Sequence, residues 1–398
     1  MTGCDVNGDD VSDLILGAPA STATSATTFV IFGKTTSWTD GIIWMSNITA
    51  STGFSIISGS NSFSSSFGSC VACAGDYDQD GFDDFLIGDY AGDSFQGRVV
   101  LLFGRAMWPL QVNSSAINDR HVLFTSKTND TQWLGYSLAA LDLNIDGKID
   151  LILGAPNAVA NRVGLWTPDT DMNPGYIHII WGNQTLPTSV VVPVSSLQTG
   201  CYWMGALAGY PTCPHYSYIG RSMTVLDFNG DKHQDLLFST LEWTWSYSFS
   251  YHYQPNAVVV LSSSTSTCTQ LGQAIPATHY SYSSTTDTLG LQPSTAFLHV
   301  GAGDINADRF DDVFLGSPSH SLVYIFFGSA SPSLTRGTTI GADGITWSRF
   351  QASGNLGASI AAIHGPSGSA DIIVGAPSQN SNFGAAYILT MMCNGGNA

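Results

Sequence analysis

The chain has 398 residues and a formal net charge of −18, from 30 acidic side chains against 12 basic ones. Of those acids 29 are Asp and one, Glu242, is Glu; with 42 Gly and four Lys this excludes a mainly helical protein, because Glu favours helix whereas Asp belongs to caps, turns and oxygen-rich metal loops. At 43% hydrophobic and 11% aromatic the chain is not disordered, no run approaches the ~18 apolar residues of a membrane-spanning helix, and the acidic balance argues against nucleic acid, whose phosphates call for Lys and Arg.

In chain order, the first feature is an acidic nonapeptide, DVNGDDVSD, from Asp5 to Asp13. The pattern returns at Asp76 (DYDQDGFDD), Asp142 (DLNIDGKID), Asp227 (DFNGDKHQD) and Asp304 (DINADRFDD), at start-to-start distances of 71, 66, 85 and 77 residues. Each copy has Asp at position 1, Asp or Asn at 3, Asp at 5 and Asp at 9, and together the five hold 19 of the 29 Asp. A short apolar run closing on small residues follows, as in Leu14–Pro19, Leu151–Pro156 and Val313–Pro318. A second run, often ending aromatic-Gly, comes next: Phe29–Gly33, Val99–Gly104, Tyr176–Gly182 and Tyr324–Gly328. A third run opening on Gly precedes the loops, at Gly68, Gly135 and Gly220. A sixth copy, from Gly357 through Ile372–Pro377 to Tyr387–Leu389, keeps the strands but has lost every loop acid except Asp371.

These runs are four to seven residues long, β-branched or aromatic, and bounded by Gly, Pro or Asp, which predicts strands. Each unit reads as strand, acidic turn, strand, loop, strand and a weaker fourth strand such as Phe54–Ile57 or His121–Phe124. A four-stranded sheet repeated in this way is a β-propeller blade. The predicted fold is therefore all-β, one propeller domain over 1–398, with units at about 1–60, 61–127, 128–200, 214–290, 291–352 and 353–398.

The loop followed by Gly-Ala-Pro resembles the FG-GAP repeat, the blade of the integrin α-subunit propeller, over nearly the whole chain. That resemblance implies a single propeller, usually of seven blades, with cations between the first and second strands. Six units are found here, with almost no first strand before Asp5 and no clear fourth strand after Leu389. The sequence-based expectation is that upstream residues are missing or that another chain supplies strands at an open edge.

Carboxylates at alternate positions need a counter-charge, and oxygen-only donors in a flexible loop suit Ca²⁺. The expected side-chain ligands are Asp5, Asn7, Asp9 and Asp13; Asp76, Asp78, Asp80 and Asp84; Asp142, Asn144, Asp146 and Asp150; Asp227, Asn229, Asp231 and Asp235; and Asp304, Asn306, Asp308 and Asp312. The family pattern implies that the carbonyls at position 7, from Val11, Phe82, Lys148, His233 and Phe310, complete the sets. Gly81 permits the sharp turn of the second loop, whereas Lys232 and Arg309 stand at that position in the fourth and fifth. An EF-hand is excluded, because position 12 of the second loop is Ile87 in a strand-like run instead of Glu. About five structural Ca²⁺ would bring the charge from −18 to −8 (five times +2), and no His or Glu recurs beside the loops as a general base.

Calcium and seven Cys point to an extracellular setting. Cys201 and Cys213 form the first expected disulfide, and Cys4 with Cys393 a second candidate that would staple the termini. Cys70 and Cys73 lie three apart on a predicted strand and so face opposite sides, which argues against a shared site. Sequons stand at Asn47, Asn113, Asn129 and Asn183. The aromatics Trp243, Trp245, Tyr247, Phe249, Tyr251 and Tyr253 alternate with small or polar residues, and an insertion at 201–219 adds Tyr202 and Trp203. In integrin-like propellers loops of this kind lie on the face opposite the cations. The row could stack on sugars, meet a protein partner or pack beneath a loop, and its length favours a protein interface. With no GxSxG elbow, no paired carboxylates and no basic cluster, the chain reads as a non-catalytic adhesion or ligand-binding module, with a glycosylated structural subunit of a filament as the alternative and a polysaccharide-active enzyme third.

Overall fold

The structure, a computed structural model, describes residues 2–20, 26–35, 43–58, 64–113, 121–126, 132–158, 175–182, 186, 191–193, 201–204, 218–245, 251–264, 279–283, 298–329, 338–339, 347–364, 370–379 and 384–389. Among these the fold is all-β, with six small sheets and almost no helix. The chain divides into two compact units, Met1–Asp142 with Asp146–Met204 and Thr267–Ala274, and Leu143–Ile145 with Gly205–Ser266 and Ile275–Ala398.

The strands of the first unit are β1 (Thr2–Cys4), β2 (Asp13–Ala18), β3 (Thr27–Ile31), β4 (Gly53–Ile57), β5 (Cys70–Gly75), β6 (Asp84–Asp89), β7 (Arg98–Leu102), β8 (Gln111–Asn113), β9 (His121–Thr125), β10 (Leu138–Leu141), β11 (Asp150–Ala155), β12 (Tyr176–Ile180), β13 (Val191–Pro193) and β14 (Cys201–Met204). They form sheets in the order β1-β2-β3-β4-β8, β5-β6-β7-β9-β13 and β10-β11-β12-β14. The second unit contains β15 (Met223–Leu226), β16 (Asp235–Trp245), β17 (Tyr251–Val260), β18 (His279–Ser283), β19 (His299–Gly303), β20 (Asp312–Ser317), β21 (Leu322–Phe326), β22 (Thr338–Thr339), β23 (Trp347–Gln351), β24 (Ser359–His364), β25 (Ala370–Ala376) and β26 (Ala385–Leu389). Its sheets run β15-β16-β17-β18-β22, β19-β20-β21-β23 and β24-β25-β26.

Each sheet follows the expected up-and-down order, and the middle strands explain why the sequence shows continuous apolar runs. Phe85, Ile87, Val100 and Leu102 pack with Ile15, Val30 and Phe54 of the preceding sheet, while Leu86, Val99 and Leu101 pack with Leu138, Leu151 and Leu153 of the following one. In the second unit Val313 and Leu315 join Leu237 and Val259, while Phe314 joins Ile372 and Val374. A strand buried on both faces needs hydrophobic side chains at every position. Each such Leu, Ile, Val or Phe contributes about 1.5–3 kcal/mol by leaving water.

The glycines of the repeat occupy the points where successive sheets touch. A Cβ on Gly17, Gly88 or Gly316 would overlap the carbonyl oxygen of Gly68, Gly135 or Gly357 respectively, each at the entry to the next sheet and at positive φ (79°, 86° and 90°). The small residue closing each second strand is thus set by the neighbouring backbone.

Three strands complete sheets that are not their own in chain order. β8 pairs in parallel with β4, β13 with β9, and β22 with β18. Each comes from the stretch before the next unit's fourth strand and covers the outer edge of the preceding sheet, which protects that edge from unintended pairing. These two- and three-residue strands went unpredicted.

Two expectations need correction. A first strand does precede Asp5, since Thr2–Cys4 pairs with Asp13–Ile15. Cys4 bonds to Cys73, not Cys393, joining β1 to β5 across a sequence separation of 69. Closing a loop of that size stabilises the fold by about 4 kcal/mol in the chain-entropy account. The sulfur of Cys73 faces the preceding sheet, and Cys70 is a free, half-buried thiol.

Candidate cation-binding loops

The five acidic nonapeptides link the first and second strands of the first five sheets and share one conformation. Positions 4 and 6 have positive φ in all of them. At position 4 these are Gly8 (71°), Gln79 (62°), Ile145 (54°), Gly230 (71°) and Ala307 (61°), and at position 6 Asp10 (64°), Gly81 (92°), Gly147 (83°), Lys232 (70°) and Arg309 (78°). Lys232 and Arg309 therefore adopt the same turn as Gly81, at a cost of about 1–2 kcal/mol each.

The turn is held by its own carboxylates. Asp5, Asp76 and Asp142 each accept the N–H of positions 5 and 6, at 3.1 and 2.8 Å, 2.8 and 3.0 Å, and 2.9 and 2.8 Å. Asp304 repeats this with Asp308 and Arg309 at 3.1 and 2.8 Å, and Asp227 accepts Lys232 N–H at 3.0 Å. The position 5 carboxylate accepts the position 7 N–H in all five loops, at Asp9, Asp80, Asp146, Asp231 and Asp308. Asn7, Asn229 and Asn306 accept the N–H of position 5 and donate their amide to its carboxylate. These N–H donors hold the carboxylates in fixed orientations within each turn.

Position 9 has a further role that spacing alone did not disclose. Asp13, Asp84, Asp150, Asp235 and Asp312 are buried, at 0–1% exposure. Their Oδ1 atoms accept the N–H of Gly33, Gly104, Gly182, Ser262 and Gly328 at 2.8–2.9 Å. Oδ2 of Asp13, Asp84, Asp235 and Asp312 accepts the N–H of position 2, from Val6, Tyr77, Phe228 and Ile305, at 3.0–3.1 Å. This carboxylate ties the loop to the end of the third strand. It also explains the aromatic-Gly closure: a Cβ on Gly104 would stand 2.6 Å from Asp83 O, and one on Gly33 or Gly328 2.5 Å from Ser12 O or Asp311 O.

The donor set suits a hard cation. One oxygen from each of Asp76, Asp78 and Asp80 lies within 4.8 Å of the others, and every expected donor is oxygen. Cys4, Cys73 and Asp83 also converge, but the disulfide removes both thiolates. Burial, and after the opposing backbone N–H bonds the neighbouring carboxylates, raises Asp84, Asp235 and Asp312 to about 7 and Asp13 to about 6. Asp78 is raised by burial and by Asp80. A divalent ion would reverse this balance. Because these folded-state values exceed the ordinary carboxylate value of 3.8, the four buried Asp favour folding below about pH 4 and lose that contribution as pH rises through 6 to 7. Calcium-free protein is therefore expected to melt at a lower temperature at pH 8 than at pH 5, with Ca²⁺ reducing or inverting the slope. A calcium-free melting temperature that rises over that interval would contradict the assignment.

The expected partner residues lie elsewhere. β16 continues to Trp245 and β17 starts at Tyr251, so the aromatic stretch forms the arms of a long hairpin, with Trp243 opposite Tyr253 and Trp245 opposite Tyr251. Tyr247 and Phe249 fall outside the described residues. Tyr202 and Trp203, expected in an insertion, are in β14 opposite His178 and Ile177; Cys201 is beside them and Cys213 is outside the described residues. Asn47 and Asn113 are exposed, the first in a 3-10 turn and the second at the end of β8, whereas Asn129 and Asn183 are outside the described residues.

Sequence comparison adds to this geometry. Integrin alpha-V of Gallus gallus is 35% identical over 156 residues, 38% of this chain, and integrin alpha-11 of Mus musculus is 33% identical over 101 residues, 25% of the chain. The chain carries an integrin-alpha-like FG-GAP region. A phosphatidylinositol-glycan-specific phospholipase D of Bos taurus is 24% identical over 171 residues, 42% of the chain. The match to the integrin-alpha-like region spans only 14% and 8% of the two integrin subunits, and the phospholipase match 17% of that enzyme. No protein-family model matches the chain. Among the described residues of this integrin-alpha-like chain, no helix is long and apolar enough to cross a membrane.

Proposed function

We propose that the chain is an extracellular, calcium-stabilised β-propeller, a single domain that binds a protein ligand and catalyses no reaction. The observation carrying this reading is the fivefold repetition of one oxygen-lined turn, locked to the third strand by a buried Asp, in a chain similar to integrin α subunits. The ions would be held at positions 1, 3, 5 and 9 with the carbonyl of position 7, pinning each first turn, and the hairpin bearing Trp243, Trp245, Tyr251 and Tyr253 would present the recognition surface. A non-catalytic role is supported by the carboxylates themselves, which are engaged by backbone N–H groups and have no recurring His or Glu at their side. Exposed Asn47 and Asn113 are the candidate glycosylation sites among the described residues.

A second reading, a structural subunit that polymerises by strand addition, is favoured by β26. It has no outer partner among the described residues, and Ile388 on it is 63% exposed. One experiment separates the two. A chain that is monomeric by light scattering, with binding on protein and glycan arrays that Trp243→Ala and Trp245→Ala abolish, supports the ligand-binding module. Filaments in the electron microscope, undisturbed by those substitutions, refute it in favour of the subunit.

A further inference from the structure

Two pairs of loops are clasped together by the same three contacts, once in each compact unit. In the first unit Asp5 N–H donates to Asp83 Oδ2 at 2.9 Å, and Asp83 N–H donates back to Asp5 O at 3.0 Å. In the second unit Asp227 N–H donates to Asp311 Oδ2 at 2.8 Å, and Asp311 N–H donates back to Asp227 O at 3.0 Å. Asp5 and Asp227 are position 1 of the first and fourth loops, and Asp83 and Asp311 are position 8 of the second and fifth.

Phe at position 7 of the later loop closes on Gly at position 4 of the earlier one. A Cβ on Gly8 would stand 2.7 Å from the Phe82 ring, and one on Gly230 would overlap the ring of Phe310. The sequence carries the pairing as Asn-Gly-Asp in loops one and four and Phe-Asp-Asp in loops two and five. The third loop has Ile149 at position 8, a side chain that lies against Gly75. The sixth unit keeps a single arm, Ala370 N–H to Asp304 O at 2.7 Å.

Position 8 is outside the ligand spacing, so these two carboxylates have no place in the cation scheme. They grip the main chain of a residue whose own side chain is the first ligand of another loop. Asp83 is flanked by Phe82 and Asp84, whose carbonyl and carboxylate belong to the second loop's donor set. Filling the second loop fixes the backbone from Phe82 to Asp84, and through Asp83 it fixes Asp5.

We propose that the first and second loops, and separately the fourth and fifth, bind cations as coupled pairs, with Asp83 and Asp311 as the positioning residues that transmit occupancy. This rests on the calcium reading given above. Residues that orient a ligand without touching the metal typically alter affinity by about 10–100-fold.

The test is a calcium titration of the intact chain read by hydrogen–deuterium exchange, which gives a midpoint for each loop. Asp83→Ala is expected to raise the midpoint of residues 5–13 about tenfold while leaving that of residues 227–235 unchanged. Asp311→Ala should do the converse, and Asp83→Asn, which keeps an acceptor for Asp5 N–H, should restore most of the affinity. If Asp83→Ala does not fold, Asp80→Asn removes the charge of an exposed ligand of the second loop, weakens its hold on the cation and should produce the same shift at residues 5–13. Independent midpoints, with residues 5–13 unmoved by Asp83→Ala and Asp80→Asn, overturn the coupling and leave the calcium reading standing. Absence of calcium-dependent protection at every loop overturns both.

Discussion

Stripping calcium is expected to lower the melting temperature by on the order of 15 °C at neutral pH. The estimate follows from linkage: an ion present at about 100 times its dissociation constant stabilises the folded state by about 2.7 kcal/mol, so five together give about 13 kcal/mol. At roughly 2.1 cal/mol/K per residue the unfolding entropy of a chain this long is about 0.8 kcal/mol/K, which converts that energy into the expected shift. The effect is local in origin. Each loop brings together three or four carboxylates that repel, one of them an Asp at 0–1% exposure, and a bound cation would relieve both penalties. Scanning calorimetry in chelator and in millimolar Ca²⁺ measures the shift, and coincident transitions would refute the reading. Magnesium should replace calcium poorly, because these flexible loops offer many oxygens without a rigid octahedral cage.

Gly88→Ala is expected to destabilise the protein by about 3 kcal/mol or more, the upper range for overpacking a close contact. The new methyl group would overlap Gly135 O and stand 3.1 Å from Gly135 C, and both obstructing atoms are backbone in the adjoining sheet. No side chain can rotate away, so the second and third sheets must separate, loosening the cluster of Leu86, Leu101, Leu138 and Leu153 between them. Gly81→Ala is the control. Its φ of 92° makes alanine costly by about 1–2 kcal/mol, but nothing lies within 4 Å of the added carbon. Denaturant unfolding of the two variants distinguishes packing from backbone strain; equal losses would mean that the sheets do not abut through glycine.

Much of this was legible in the sequence because the repeat supplies internal copies. The strand pattern and the spacing Asp5-Asn7-Asp9-Asp13 recur often enough to separate candidate ligand positions from fillers such as Val6 or Ser12. Position 9 was legible as a candidate ligand but not as a strut, since its bond to the third strand spans from 16 residues for Asp312 to 32 for Asp150. The glycines of Gly-Ala-Pro were visible as a signature, yet their reason is the backbone of another sheet. The partner of Cys4 was expected at Cys393 for the same reason, and Cys73 was missed. Cys70 and Cys73 are neighbours in sequence, but Cys4 and Cys73 hold similar levels on consecutive first strands, a relation that only the register of β1 and β5 exposes. The parallel strands β8, β13 and β22 are too short to carry a periodic signal at all.

The central claim is that each of the five turns is a cation site, and metal stoichiometry tests it most directly. Native mass spectrometry of the chain after exchange into calcium at neutral pH should show about five bound ions, falling to about four on Asp76→Ala with Asp80→Ala and to about three when Asp9→Ala and Asp231→Ala are combined. A chain that retains no calcium, or the same amount in all these variants, would contradict the account.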